Sequence, residues 1–197
     1  MTTWIVFYII LAYFAGAISS AILICKLFNK PDPRSQGSKN PGATNVLRVA
    51  GKLPAILVLV FDVLKGALPT YAAYIHGIDG WALGIVGICA CLGHMYPVYF
   101  KFSGGKAVAT ALGAMFPIGW PLALSLLGTW LIVFRLSAYS SLAAIITLLL
   151  APVYTHFYKP EFTLAVAMLS MLILVKHKSN ISRLIRGEEK AIKSKKD

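Results

Sequence analysis

Three short segments of this chain gather the residues that could do chemistry on an anion. They are Gln36-Gly37-Ser38-Lys39-Asn40-Pro41-Gly42-Ala43-Thr44-Asn45-Val46-Leu47-Arg48, then Lys101-Phe102-Ser103-Gly104-Gly105-Lys106, then His177-Lys178-Ser179-Asn180-Ile181-Ser182-Arg183. Each mixes cations with Gly, Ser or Asn. Fixed cations, hydroxyls and open backbone N–H groups are what a phosphate needs to be held.

In the first segment Gly37, Pro41 and Gly42 enforce turns, while Ser38, Asn40 and Asn45 offer hydroxyl and amide groups. Thr44 is placed to cap a short amphipathic helix running to Arg48, with Val46, Leu47 and Val49 lying on a membrane. Arg48 would add two-pronged recognition of an anion. Composition alone fits a solvated basic loop that sets topology equally well. In the second segment Gly104 and Gly105 permit a close approach to the backbone, Ser103 adds a hydroxyl, and the helix after Lys106 brings a positive end. The spacing of a Walker A loop is missing, so nucleotide binding is unsupported. In the third, His177, Asn180 and Arg183 recur every three residues and share a face. His177 there suits a base, a donor to phosphate or a brace.

Three polar residues fall inside apolar runs. Asp62 and Lys65 sit three apart and can pair, as a structural ion pair or as a substrate-side cation or proton relay. His94, in Gly93-His94-Met95-Tyr96-Pro97, reads as a hydrogen-bonded packing residue more readily than as a base. Several chemistries are absent: there is no Gly-x-Ser-x-Gly elbow, no His-Glu-x-x-His zinc site and no His-x4-Asp pair. With few carboxylates near the basic segments, a mechanism would rest on cations, hydroxyls and backbone dipoles.

Helices in a bilayer must position these residues. The chain is 58% hydrophobic and 13% charged, with a formal net charge of +12, far from a soluble domain. Apolar spans are read at 4–28, 54–75, 81–100, 107–134, 140–158 and 161–175, the longer ones sufficient for a hydrocarbon core. Met1-Thr2-Thr3 lacks the basic start of a cleavable signal. Cys25, Cys89 and Cys91 lie in apolar runs and read as free buried thiols, and no metal site is expected. Basic loops stay cytoplasmic, which places residues 26–53, 101–106 and the segment from Lys176 inside. The chain must then cross an even number of times between Lys106 and Lys176. The 107–134 run therefore breaks near Pro117-Ile118-Gly119-Trp120-Pro121, into halves of roughly 10–14 residues. The expectation is an all-α polytopic protein of seven transmembrane helices, N-terminus outside and C-terminus cytoplasmic. Residues 1–197 form one membrane domain whose segment 186–197 is a solvated charged tail. Every Lys and Arg except Lys65 and Lys159 then lies on the cytoplasmic side or its boundary.

On these grounds an enzyme and an anion or lipid transporter stand level. Broken spans favour the transporter, whereas cations gathered on one side and the lack of an inverted repeat disfavour it. A scaffold for anionic headgroups explains the tail but not the glycines.

The motifs resemble those of the bacterial acyl-phosphate:glycerol-3-phosphate acyltransferases, the integral-membrane family usually called PlsY. The likeness runs through Gly37-Ser38-x-Asn40-Pro41-Gly42-Ala43-Thr44-Asn45-Val46-x-Arg48, Asp62-x-x-Lys65-Gly66, Gly93-His94-x-Tyr96-Pro97-Val98, Phe102-x-Gly104-Gly105-Lys106-x-Val108-Ala109-Thr110 and His177-x-x-Asn180-Ile181-x-Arg183-Leu184 with Gly187 and Glu188. It implies transfer of a fatty acyl group from acyl phosphate to the sn-1 hydroxyl of glycerol 3-phosphate. Lysophosphatidic acid and phosphate would form in phospholipid synthesis, at the cytoplasmic face of a bacterial inner membrane. No cofactor and no nucleic acid are implied. The partners would be the two substrates, membrane lipid and, by proximity, the acyl-phosphate-forming enzyme, with the chain itself a monomer. Carried over, Ser38 and Arg48 line a phosphate site with Gly37, Asn40, Gly42 and Asn45 around them. Ser103, Gly104, Gly105 and Lys106 cradle one substrate, and His177 and Asn180 complete the pocket. His94, Asp62 and Lys65 are supporting. A further serine falls in Arg135-Leu136-Ser137-Ala138-Tyr139-Ser140-Ser141, placed at Ser141 with Ser140 as the alternative.

Overall fold

The computed structural model describes residues 2–192, and among them the regular structure is entirely helical. In order these are α1 (Thr2–Gly16), α2 (Ser20–Leu27), α3 (Ala43–Ala50), α4 (Lys52–Ile75), α5 (Gly80–Met95), α6 (Val108–Ile118), α7 (Trp120–Ser137), α8 (Ser140–Tyr158), α9 (Thr163–Lys176) and α10 (Lys178–Ile185). Short 3-10 turns cover Val98–Phe100 and Pro160–Phe162. The chain divides into two compact units, Met1–Ile118 and Gly119–Asp197.

The first unit is built by backbones that touch. A Cβ on Gly66 of α4 would collide with the Thr110 carbonyl of α6, and one on Gly113 of α6 with the Val63 carbonyl of α4. α1 and α5 repeat the arrangement: Gly16 lies against the Ala90 carbonyl and Gly93 against that of Tyr13. Lipid gives apolar helices no hydrophobic reason to associate, so close van der Waals contact through small residues has to supply it. α1 and α2 are one apolar run of 26 residues, Thr2–Leu27, broken at residues 17–19.

The short basic helix exists but differs from expectation. α3 starts at Ala43 with Gly42, not Thr44, at its N-cap. Val46 is buried against Ala21, Ile24, Cys25, Ala55 and Val58 rather than lying on lipid. The reason is connection length: Gly51, at φ 94, is the only residue between α3 and α4, so α3 must fold back onto α4 and α2.

In the second unit α7 and α8 form an antiparallel pair that turns at Ala138, with φ 59. Hydroxyl pairs cross it, Thr129 to Tyr154 at 3.0 Å and Ser125 to Tyr158 at 3.2 Å. α9 packs on α8, and α10 leaves α9 at a 62° bend.

The anticipated break falls at an extended Gly119, between α6 of 11 residues and α7 of 18. The second half is longer than expected because the helix continues past Phe134 to Ser137. Five segments are long and apolar enough to span a membrane, and the bent α9–α10 pair makes a sixth candidate.

Candidate active site

In the first unit the opening basic loop is wound around one side chain. Asn45, in the first turn of α3, is 1% exposed. Its Oδ1 accepts the Ser38 N–H at 2.8 Å, and its Nδ2 donates to the carbonyls of Pro33 at 2.8 Å and Gln36 at 3.1 Å. Gly37 has φ 62, and a Cβ there would collide with Asn45 Oδ1. Asn45 therefore shapes the loop, leaving Ser38 exposed at its tip and Arg48 exposed in the last turn of α3. Asn40 is half-buried, its carbonyl accepting the Gly42 N–H at 3.0 Å.

The second basic loop lies directly on His94. Gly105 N–H donates to the His94 carbonyl at 3.1 Å. A Cβ on Gly104 would collide with that carbonyl, and one on Gly105 with His94 Nε2. Lys101, Phe102 and Ala107 are left-handed without being glycine, at φ 55, 56 and 62. Such residues cost about 1–2 kcal/mol each and persist where neighbours over-determine them. Ser103 is exposed and Lys106 half-buried.

Beneath this loop is a buried polar network. Asp62 Oδ1 accepts Ser20 Oγ at 2.6 Å and Lys65 Nζ at 2.8 Å, and lies 3.5 Å from His94 Nδ1. Lys65 Nζ also donates, at 3.1 Å, to the Ile18 carbonyl at the α1–α2 break. The pair is thus spent on α2, α4 and the broken span, which favours its structural reading. His94 likewise serves as the floor of the glycine loop.

The loops are joined by Arg34 and Asp32, which sequence reasoning passed over. Arg34 Nε lies 3.1 Å from both Asp32 oxygens and Nη2 lies 2.7 Å from Oδ2, while Nη1 donates to the Phe100 carbonyl at 3.3 Å. This fork holds the Asp32 carboxyl below the usual carboxylate range, outweighing partial burial. The same contact raises the Arg34 guanidinium.

In the second unit His177 stands at the α9–α10 bend, 3% exposed. Its Nδ1 lies 2.8 Å from the Ile173 carbonyl. A carbonyl can only accept, so Nδ1 carries a hydrogen and Nε2 is the ring nitrogen turned away from that carbonyl. Nearby, Glu189 accepts from Ser141 Oγ, Asn180 Nδ2 and Arg183 Nε, each at 2.6 Å. Burial alone would raise the Glu189 carboxyl, but these three hydrogen bonds and the Arg183 charge hold it below its ordinary value.

Within the expected solvated tail, Glu188 and Lys190 are exposed as anticipated, whereas Glu189 and Ile192 are held back on the second unit. Gly187, at φ 70, ends α10 with Gly187 N–H donating to Leu184 O at 3.1 Å and Glu188 N–H to Arg183 O at 2.8 Å. This reversal turns the chain back, and Ile192 N–H reaches the Ala138 carbonyl at 3.0 Å. Residues 193–197 of the expected tail lie outside the described residues. Of the three serines, Ser137 Oγ donates to the Val133 carbonyl at 2.7 Å, whereas Ser141 is brought beside Asn180 on Glu189. Ser140 sits one residue earlier, half-buried at the start of α8.

The family described as Glycerol-3-phosphate acyltransferase matches residues 6–187. A glycerol-3-phosphate acyltransferase of Idiomarina loihiensis is 57% identical over 98% of both chains. One from Shewanella loihica is 58% identical over 95% of this chain and 93% of its own. Among solved structures, PlsY, an integral membrane glycerol 3-phosphate acyltransferase, superposes in its glycerol 3-phosphate form with a TM-score of 0.90, at 40% identity and 96% coverage of each chain. Its lysophosphatidic acid form gives a TM-score of 0.88 at 39% identity, covering 96% of this chain and 95% of its own.

Proposed function

The chain belongs to the glycerol-3-phosphate acyltransferase family and is an integral-membrane acyltransferase, and from that premise we propose that it transfers a fatty acyl group from acyl phosphate to the sn-1 hydroxyl of glycerol 3-phosphate. Lysophosphatidic acid and phosphate leave. The observation that carries this reading is the pair of PlsY structures at TM-scores of 0.90 and 0.88, one with glycerol 3-phosphate and the other with lysophosphatidic acid. An acceptor and its acylated product on one scaffold describe one transfer.

Acyl phosphate is a mixed anhydride, so its phosphate is already a good leaving group. The hydroxyl oxygen attacks the carbonyl carbon, the carbon–oxygen bond to phosphorus breaks, and phosphate departs with its bonding electrons. Charge therefore grows on oxygen, where Lys106, Arg48, the Ser38 hydroxyl and the backbone at Gly104 stabilise it, with Gly105 tying the loop to His94. Asn180, Ser141 and His177 position the acceptor. The hydroxyl proton passes to a substrate phosphate oxygen or to Nε2 of His177, without an acyl-enzyme.

The whole chain works as one catalytic domain and as a monomer in the bacterial inner membrane. Counting α6 as a short crossing beside the six candidate segments gives seven, with the N-terminus outside and the basic loops in the cytoplasm. Its donor comes from an acyl-phosphate-forming enzyme working nearby.

Phosphate release from palmitoyl phosphate by detergent-purified protein tests the reading. Release that requires glycerol 3-phosphate, yields lysophosphatidic acid and collapses in folded Arg48→Ala and Lys106→Ala variants is expected. A folded wild type with no such turnover would overturn it.

A further inference from the structure

The two glycine-rich basic loops come from different parts of the first unit, yet substrates held by their phosphates there can react only when hydroxyl and acyl carbonyl stand at a set spacing. Arg34 bridges them. At one end its guanidinium is clamped on Asp32 through Nε and Nη2, and its own N–H donates to Asp32 Oδ1 at 2.9 Å. The intervening Pro33 carbonyl is fastened at 2.8 Å to Asn45, the side chain around which the Ser38 loop is wound. Asn45 precedes Arg48 by three residues on α3, so the base of the bridge is continuous with that phosphate site. At the other end Nη1 meets the Phe100 carbonyl at 3.3 Å, an oxygen that also accepts the Ser103 N–H at 3.2 Å. Phe100 immediately precedes left-handed Lys101 and Phe102, where the loop to Lys106 begins.

We propose that Arg34, locked by Asp32, is a positioning residue that fixes the spacing of the Ser38–Arg48 and Ser103–Lys106 loops. Arg34 uses its fork on protein atoms and sets where Arg48 and Lys106 stand when the acyl group moves. Lysine cannot replace it, because a single ammonium cannot grip a carboxylate with two nitrogens and reach a carbonyl with a third. A displacement of about 1 Å in groups that align reactants costs up to 10²-fold in rate.

This inference rests on the proposed function, and the test separates the two. Wild type, Arg34→Lys, Asp32→Asn and the double variant are assayed in detergent, with kcat and KM for each substrate and thermal unfolding measured for each. The expected result is a fall in kcat of roughly 10- to 100-fold in Arg34→Lys and in Asp32→Asn, with both KM values within about threefold. Melting temperatures stay close to wild type, and the double variant is no slower than the worse single one, since either change releases the same bridge. Three outcomes would overturn the inference while wild type remains active. They are wild-type kcat in the single variants, a raised KM for one substrate at unchanged kcat, or losses that follow only the melting temperature. A folded but inactive wild type would instead remove the proposed function beneath it.

Discussion

Ser141 of α8 and Asn180 of α10 donate to the same oxygen, Oε1 of Glu189, each at 2.6 Å. Arg183 takes the other oxygen at 2.6 Å. One carboxylate thus aligns a hydroxyl and an amide that the proposed reaction uses. Glutamine at position 189 would keep one acceptor oxygen but turn an NH2 group towards Arg183 or the Ser141–Asn180 pair. Glu189→Gln is expected to lose about 1–3 kcal/mol, the usual cost of leaving a buried polar group unsatisfied. Unfolding in detergent measures it; a melting temperature equal to wild type would show that the carboxylate organises nothing.

Acid should weaken the same contact. The folded Glu189 carboxyl lies below its ordinary value, through hydrogen bonds that outweigh burial. A depressed carboxyl contributes stability that is fully present above the unfolded pKa of about 4.3 and is lost as pH falls through the folded value. The gap in melting temperature between wild type and Glu189→Gln should be constant near neutrality and shrink below about pH 4.3. Asp32 is depressed in the same direction by Arg34, but it is common to both proteins and cancels from the difference. A gap that stays constant to low pH would exclude a titrating Glu189.

The two serines give a separate test. Ser141→Ala removes the hydroxyl that meets Asn180 on Glu189, whereas Ser140 starts α8 one residue earlier. Turnover is expected to fall about tenfold in Ser141→Ala, the loss of one charge-assisted hydrogen bond of roughly 1.5 kcal/mol, and less than twofold in Ser140→Ala. The reverse order would move the functional serine to Ser140.

What was legible in the sequence follows from how each feature is encoded. The apolar runs, the Asp62–Lys65 pair and the break near Gly119 rest on local spacing, and the structure contains all three. The Gly104–Gly105 pair reads as room for a ligand, and in the structure it also makes room for His94. That partner lies on the preceding helix and nothing in the loop specifies it. Arg34 and Glu189 escaped for a similar reason. Each is a charged residue in a polar stretch, and only the fold supplies the Phe100 carbonyl or the Ser141–Asn180 pair. Gly187 was the available signal for Glu189: a glycine just past a helix end reverses the chain. Whatever follows it can come back to that helix.

Gly105 and His94 should behave as a coupled pair. A methyl group on Gly105 would overlap His94 Nε2, and Asp62 Oδ1 lies 3.5 Å from Nδ1 on the other side of the imidazole, so the ring has little room to retreat. Gly105→Ala is expected to lower turnover at least tenfold and to reduce the melting temperature. Adding His94→Ala should restore part of the thermal stability lost to Gly105→Ala, because the overlap disappears, but not the turnover. Double-mutant coupling of about 0.5–3 kcal/mol is usual for residues in contact. Strictly additive effects on melting would show that the collision is absorbed elsewhere.

The Asp62–Lys65 pair can be tested by comparing a broken pair with a removed one. Breaking a buried ion pair strands one charge and costs about 3–5 kcal/mol, whereas replacing both partners with apolar residues of similar volume is often close to neutral. Here Asp62 also accepts from Ser20, and Lys65 also donates to the Ile18 carbonyl at the break in the first span. Asp62→Leu with Lys65→Met would leave those two partners without their present contacts. The double variant is therefore expected to be less stable than wild type but more stable than either Asp62→Leu or Lys65→Met. Chemical unfolding of all four proteins in one detergent measures the order. If Lys65→Met were as stable as wild type yet inactive, Lys65 would act on the reaction instead of on the helices.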